Sequence, residues 1–562
     1  MIPVKTLGIH LTIPQHMRTL FFLLVTFFTA HGAQAQNESD PPAITLPHTT
    51  SFACMTSPEL LVSWNPGLNL PNCDDRTTDP RVVPSHMPVA AIFISTPNYL
   101  GAGFSIAESF IQNPTGATLN ILDSTSRVDA HKDKIEYLLA LAKQHNVPVN
   151  YITVEAGHRN QIPQFLRDVG IFRASPNHLE YVSAPYFNEG QAVTTFQDML
   201  EQCGIAAKTP YFGLENFKTA YEEAYAHRKD DTNSPATLSP KVLEAEAGLE
   251  AVLKTWPQGI SKDMAGNYMS LPGGTIAVGF SREHLPDPDL LQYFRETQHV
   301  VEVEIPVLRI GHIDEIFNIV PARNDWGFAL LRASPREMIT FLKSRPGDEV
   351  VYDAQDPDAI NAQDSTTVQE HIDVWRTLIE DLKQAHTQPH PAFIAILKRL
   401  EMHKALLITT RYTVARLLED SEFVALMGEQ DSLIRRSTSI LVGEMQKTLG
   451  TESPLQIIDI PVLWGKYDKK PIIPNPVNGL AVNGKYFLSK LNRPVKSQWG
   501  FHKDLSFRPG GTLEEYHAYK KVVLEKLNSI FTEPPVFVDT RLLDRYGGNL
   551  HCATTNINVP CK

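Results

Sequence analysis

The run Val89-Ala-Ala-Ile-Phe-Ile94 carries no polar residue, as expected of a strand buried on both faces. Further on, Ile135, Leu138, Leu139 and Ala142 recur at helical spacing and mark one face of a helix running to about Gln144. Pro148-Val-Asn-Tyr-Ile-Thr-Val154 reads as the next strand. Strands and helices keep alternating from there, which predicts an α/β fold. Between residues 366 and 449 the texture changes. Helical periodicity recurs in Ile372, Trp375, Leu378, Ile379 and Leu382, then in Ile394, Ile396, Leu397 and Leu400, and again in Ile434, Leu441 and Met445. Gln388-Pro-His-Pro391 separates the first two of these helices, because proline cannot continue one. This stretch is expected to be a helical elaboration within the surrounding domain, with an independent partner-binding module as the alternative.

Composition narrows the picture. The chain has 562 residues and is 42% hydrophobic, ample for a large core. Its 51 basic and 63 acidic residues give a net charge of -12, which argues against nucleic acid as the main partner.

The N-terminus reads as an address. Met17-Arg18 precedes the apolar run Thr19–Phe28, which is short for a membrane span, and Ala33-Gln34-Ala35 fits an A-x-A cleavage site. Residues 1–35 are therefore expected to be a secretory signal peptide, with an N-terminal membrane anchor as the alternative. The protein is then exported, extracellular or periplasmic. No later segment has the length and apolarity to cross a bilayer, so no stable membrane association is expected after signal removal. Residues 36–85 are rich in Pro, Asn, Asp and Thr and read as a loop-rich lead segment, leaving 86–562 as the main domain. Cys54, Cys73, Cys203, Cys552 and Cys561 make an odd number, which suits an exported protein with one free thiol, most naturally Cys552.

Three stretches carry candidate chemistry. Tyr546-Gly-Gly-Asn-Leu-His-Cys552-Ala-Thr-Thr-Asn-Ile-Asn558 sets a cysteine among glycines and small polar residues, a setting for a nucleophile or for a buried structural thiol. Val307-Leu-Arg-Ile-Gly311-His312-Ile-Asp314-Glu315 holds a histidine and a carboxylate two apart, which an extended segment would project from one face. That pair suits acid–base work combined with recognition of a cation. A metal-binding His-x-Asp is the competing reading, but no further ligand cluster accompanies it, and no metal is assigned. The third stretch, Arg159-Asn-Gln-Ile-Pro-Gln-Phe165-Leu-Arg167-Asp168, ends in an aspartate that precedes an apolar strand, where a cap or turn role is equally natural.

Together these motifs resemble the protein-arginine deiminases. Asn324-Asp-Trp-Gly-Phe-Ala-Leu-Leu-Arg-Ala-Ser-Pro335, Ile457-Ile-Asp-Ile-Pro-Val462, Pro474-Asn-Pro-Val-Asn-Gly-Leu480 and Asn483-Gly-Lys485 are similar to the family in the same order. The resemblance covers roughly Lys132 to Asn556. It implies the pseudo-fivefold α/β propeller of the guanidine-modifying superfamily, here with a helical insertion, and hydrolysis of arginine to citrulline and ammonia. Asp168 and Asp314 would accept paired hydrogen bonds from a guanidinium, which is planar and permanently charged. Cys552 would attack its central carbon, and His312 would serve as acid and then base. Phe165 stands where the family has Trp and would cover the substrate's aliphatic stem. The partner is then an arginine-containing protein or peptide. The alternatives are a deiminase of a small guanidine, such as free arginine or agmatine, and a non-catalytic secreted binding protein on the same fold.

This chain departs from the family in several places. The animal enzymes carry two immunoglobulin-like domains for which there is no room here after signal removal. The family implies calcium as a cofactor, but its ligand positions around the first aspartate are Arg167 and Ile171, and its Gly-Asn-Leu-Glu stretch corresponds to Gly266-Asn267-Tyr268-Met269. No cofactor is therefore expected. The arginines that grip a peptide backbone have no counterpart in Pro185–Thr195, and Ala553-Thr554-Thr555 replaces the shorter Gly-Thr after the cysteine.

Overall fold

A strand, a helix and a second strand running parallel to the first require a crossover connection, whereas antiparallel neighbours need only a turn. Both joints recur here in a fixed order. The computed structural model describes residues 81–96, 102–124, 127–154, 166–175, 178–183, 196–197, 200, 205–208, 265–281, 286, 288–308, 310–352, 372–374, 376–377, 379–380, 397, 412–466, 469, 471–501, 507–540 and 549–558. Over these residues the fold is mixed α/β.

Among the described residues, five sheets share one pattern, a strand antiparallel to the next, which is parallel to a third. Gly170–Ser175, His178–Ser183 and Ala206–Lys208 form one, extended at its edge by Arg81–Val82. Tyr268–Ser270, Ile276–Phe280 and Val300–Glu304 form another, with the helix Pro288–Arg295 in the crossover. In the third, Phe317–Pro321 pairs with Phe328–Ser334 (Phe317 opposite Arg332), which lies parallel to Ile457–Pro461 (Arg332 opposite Asp459). Leu480–Val482, Lys485–Ser489 and Val536–Val538 repeat the order, crossing through the helix His517–Leu527. The fifth sheet joins distant parts of the chain. Thr554–Asn558 runs antiparallel to Val89–Ser95, which is followed in parallel by Thr118–Ser124 and Val149–Val154. Two two-stranded ribbons, Val350–Tyr352 with Tyr412–Thr413 and Asn492–Phe501 with Phe507–Glu515, fall outside the pattern.

The repetition extends to single residues. A Cβ on Gly170 would stand 2.2 Å from the ring of Tyr181, and one on Gly479 2.6 Å from the ring of Tyr486. In both sheets a second-strand tyrosine packs under a glycine at or just before the start of the first strand, where no larger residue fits.

The apolar runs are buried on both faces. Ile92 and Ile94 pack with Phe104, Ile106 and Phe110 of the helix Ala102–Gln112 and with Leu138 of Val128–His145. Ala91 and Phe93 face Leu166, Phe172 and Leu179 on the other side. Leu139, expected on the buried helix face, is exposed, because Ile135, Leu138 and Ala142 suffice for the contact and Leu139 falls at its edge.

Within residues 366–449 the described parts include Tyr412–Thr413, the helix Val414–Glu419 and the long helix Ser421–Leu449. Asp420 caps the long helix by accepting from Phe423 N at 3.0 Å, and Gly450 ends it in the left-handed region at φ 64°. Its Phe423, Met427, Ile434, Leu441 and Met445 enter the same core as Phe317, Leu330 and Trp464. Ile372 and Ile379 are buried, while Trp375, Leu378, Leu382, Ile394, Ile396 and Leu400 lie outside the described residues. So do the signal segment 1–35, most of 36–85, and Cys54, Cys73, Cys203 and Cys561. Among the described residues no helix is long and apolar enough to cross a membrane.

Candidate active site

Every one of the five sheets has a polar residue one to three positions before its first strand. These are Asp168 ahead of Gly170–Ser175, Asn267 ahead of Tyr268–Ser270, Asp314 ahead of Phe317–Pro321, Asn478 ahead of Leu480–Val482, and Cys552 ahead of Thr554–Asn558. The short elements that carry them touch one another. The helix Leu166–Val169 contacts the turn Leu550–Ala553 and the turn Ala265–Asn267, which in turn contacts Ile313–Glu315.

Gly311–Glu315 is not the extended segment expected from its His-x-Asp spacing. His312 is extended at φ -99° and ψ 151°, but Ile313–Glu315 form one 3-10 turn. The cause is Glu315, whose Oε1 accepts from Gly311 N at 3.0 Å and His312 N at 3.2 Å and folds the segment back on itself. Gly311 makes the reversal possible at φ 76°. From the neighbouring sheet, Asn267 Oδ1 takes Ile313 N at 3.2 Å while its Nδ2 donates to Gly279 O at 2.6 Å. Asn475 Nδ2 donates to Glu315 O at 2.6 Å and Asn478 Nδ2 to Asp314 O at 3.2 Å. The turn is held from three sides.

The Cys552 side chain is buried. Its Sγ lies 3.5 Å from Asn478 Oδ1 and 3.9 Å from Asp314 Oδ2. Its one-turn helix is fixed by His551 N donating to Asn478 O at 3.3 Å, Ala553 N to Asn549 O at 3.1 Å and Thr554 Oγ1 to Leu550 O at 3.0 Å. Asn556 donates to Asn558, which donates to Met87 O at 2.9 Å.

Asp314 is the centre of the arrangement. Its Oδ2 stands 2.7 Å from His551 Nδ1, and its Oδ1 is buried with no hydrogen-bond partner among the described residues. Burial pushes its pKa up, but the hydrogen bond and charge of His551, followed by the charges of His312 and Arg167, outweigh that and hold the carboxyl below its usual value. An ionised, buried carboxylate with one open oxygen is costly unless a cationic donor meets it. A guanidinium is such a donor, and a thiol 3.9 Å away is placed to attack what the carboxylate holds. Glu315, next in sequence, behaves oppositely. Burial first, and the charge of Asp314 among the further causes, drive its pKa up to about 8 against the two backbone donors.

The structure thus brings Asp314 and Cys552 within 3.9 Å of each other, with the charge of His312 acting on Asp314. Asp168 falls within the helix Leu166–Val169, which contacts the cysteine's turn, but its side chain lies outside the described residues, as does Phe165 altogether. Sequence reasoning gave no role to His551, Asn267 or Asn478, although His551 adjoins the cysteine and Asn478 stands inside the Pro474–Leu480 motif.

The positions that the family resemblance marks for calcium hold Arg167, Ile171 and Met269. Arg167 places a cation there, its Nη2 donating to Tyr268 O at 3.0 Å, while Ile171 and Met269 are buried apolar side chains. A divalent cation needs oxygen ligands, which these side chains cannot give. Among the described residues no group of three or more His, Cys, Asp or Glu is arranged to hold a metal ion.

Comparison with known proteins gives one informative match. Residues 266–494 match the protein-arginine deiminase family, a segment that includes His312, Asp314 and Asn478. That match supports a hydrolase of the class that deiminates guanidino groups. No curated protein matches the chain. Among solved structures, agmatine deiminase of C. jejuni is 9% identical, with a TM-score of 0.39, covering 86% of this chain and 98% of its own. The N-terminal domain of ArgZ, an arginine dihydrolase from cyanobacteria, is 9% identical, with a TM-score of 0.34, covering 84% of this chain and 98% of its own. Likenesses at this level carry no argument about the chemistry.

Proposed function

From a chain whose residues 266–494 resemble the protein-arginine deiminases, we propose an exported hydrolase that converts peptidyl arginine to peptidyl citrulline and ammonia. The observation that carries the proposal is the buried Asp314 carboxylate: Oδ2 is tied to His551 and stands 3.9 Å from the Cys552 thiol, and Oδ1 has no hydrogen-bond partner among the described residues. Asp314 and Asp168 bind the guanidinium. The Cys552 thiolate forms a bond to its central carbon. The tetrahedral adduct then breaks a C–N bond, and His312 gives a proton to the departing ammonia. This leaves an amidino group on sulfur. Water, deprotonated by His312, adds to the same carbon, the C–S bond breaks, and the thiolate and a ureido product are released.

The five repeated sheets, each with a polar residue ahead of its first strand, support a pseudo-fivefold propeller whose centre is this site. Arg167 in place of an oxygen ligand supports turnover without calcium. The signal-like segment ending at Ala35 supports export. Deimination of a small guanidine is the second reading, favoured by the lack of arginines in Pro185–Thr195.

The test is release of citrulline and ammonia by residues 36–562 from a blocked arginine peptide, free arginine and agmatine, with and without a calcium chelator. Turnover of the peptide in chelator, lost in Cys552→Ala, is the expected result. Turnover of free arginine or agmatine alone moves the assignment to the second reading. No turnover of any of them rejects both, and full loss on chelation with recovery on adding calcium rejects the metal-free site.

A further inference from the structure

Asp314 has two oxygens in different situations, and the difference is made by a residue that the reaction above does not use. His551 is buried, as is Asp314, and its Nδ1 stands 2.7 Å from Oδ2. An ionised carboxylate only accepts, so Nδ1 carries the proton and donates it. The bond spans 237 residues and joins the first-strand entrance of one sheet to that of another. It fixes the rotation of the carboxylate and occupies the oxygen that stands 3.9 Å from the thiol. Oδ1 remains buried without a hydrogen-bond partner among the described residues.

We propose that His551 is a positioning residue for substrate recognition: by holding Asp314 Oδ2 it aims Oδ1 at the guanidinium and keeps the carboxylate ready to receive a cation beside Cys552. This rests on the deiminase reading and adds to it the residue that sets its selectivity for a cationic substrate. The charged and titratable groups facing the pair are His312 and Glu315 from the turn of Asp314, Cys552 from the turn of His551, and Arg167 from the helix Leu166–Val169. Of these, His312 and Arg167 reinforce His551 in favouring the ionised form, whereas burial opposes all three. Without His551 the balance moves toward the neutral acid, and the carboxyl is free to turn.

Alkylation of Cys552 tests this without requiring turnover. Two small reagents with the same leaving group are compared across pH, cationic 2-chloroacetamidine and neutral 2-chloroacetamide, and the ratio of their rates reports the carboxylate's grip on an amidinium. The wild type is expected to prefer the cation, with the preference fading at acid pH as Asp314 protonates. In His551→Ala the ratio should fall about tenfold and its acid limb should move to higher pH, the size expected for one charge-assisted hydrogen bond. His551→Asn keeps an N–H donor at the Nδ1 position and should restore most of the ratio and the acid limb. A purely structural role would slow or speed both reagents together and leave the ratio unmoved. An unchanged ratio and pH dependence in His551→Ala, with the neutral reagent still reacting at the wild-type rate, overturns the proposal. A His551→Asn ratio as low as that of His551→Ala does so too. If the wild type itself shows no preference for the cation, the guanidinium site is rejected, which is a different outcome from a histidine that does nothing.

Discussion

Asp314 faces His551 Nδ1 at 2.7 Å, and Asp123, at the end of Thr118–Ser124, faces His131 Nδ1 at 2.8 Å. Both aspartates are buried, and both histidines come from another element. The remaining contacts separate them. At Asp123, Oδ1 accepts from Ser124 N at 2.8 Å, and Oδ2 accepts from Tyr151 OH at 2.9 Å as well as from the histidine. Each oxygen of that carboxylate is engaged, so the cluster ties the strands Thr118–Ser124 and Val149–Val154 to the helix Val128–His145. At Asp314 the oxygen 3.9 Å from the thiol is held by His551, and Oδ1 has no hydrogen-bond partner among the described residues. An Asp–His pair by itself says little about function. The open acceptor is what sets Asp314 apart from Asp123.

The largest test of this contrast substitutes both aspartates by asparagine. Asp314→Asn removes the charge proposed to meet the guanidinium and should lower kcat/KM by roughly a thousandfold in a citrulline-release assay, with little change in folding. Asp123→Asn should leave kcat/KM within about threefold, and lower stability by about 1–3 kcal/mol in denaturant unfolding, because three donors then face a weaker acceptor. A catalytic loss in Asp123→Asn matching that of Asp314→Asn would erase the distinction.

Next in size is Glu315. Its folded pKa of about 8 lies above the usual 4.5, so the fold favours the protonated carboxyl. The stability this contributes is complete below the unfolded value and is lost as pH rises from there through the folded pKa. Between about pH 5 and pH 8 the loss should reach roughly a few kcal/mol. Glu315→Gln keeps an acceptor for Gly311 N and His312 N and should flatten this slope in unfolding curves measured at several pH values. A wild type whose stability is level over that range would mean that Glu315 is ionised in the fold. Asp314 has the opposite sign. Its pKa is lowered, so its contribution is present above the unfolded value and disappears as pH falls through the folded one.

Some of this organisation is readable from sequence. The strands at Val89 and Val149 and the helix face of Ile135, Leu138 and Ala142 follow from local periodicity, which survives because each element buries its apolar residues in place. His312, Asp314 and Cys552 stand out because nucleophile, base and carboxylate types cluster in short motifs. The sheet order does not show in this way, since Thr554–Asn558 pairs with Val89–Ser95 across almost the whole described chain. The residues that arrange the site are hidden for the same reason. Asn267 acts on Ile313 at a separation of 46 residues, Asn478 on Cys552 at 74 and His551 on Asp314 at 237. Spacing alone also misled on Gly311–Glu315. A two-residue interval fits an extended strand, but Glu315 satisfies two backbone donors that a strand would have left open, and the segment turns instead.

The smallest expected effect isolates one contact of the structural cluster. Tyr151→Phe removes a single donor to Asp123 while Ser124 N and His131 Nδ1 remain. The hydroxyl is held protonated well above its ordinary range, first by burial and then by the charge and hydrogen bond of Asp123, so it acts as a donor at every working pH. Its loss should cost about 1 kcal/mol in denaturant unfolding, with no pH dependence between about pH 5 and 9. Citrulline release should be unchanged, because the Tyr151 hydroxyl donates to Asp123 and not to the site of Asp314 and Cys552. A fall in kcat/KM without a fall in stability would instead make the Asp123 cluster part of the substrate site, and the two Asp–His pairs would then differ in degree rather than in kind.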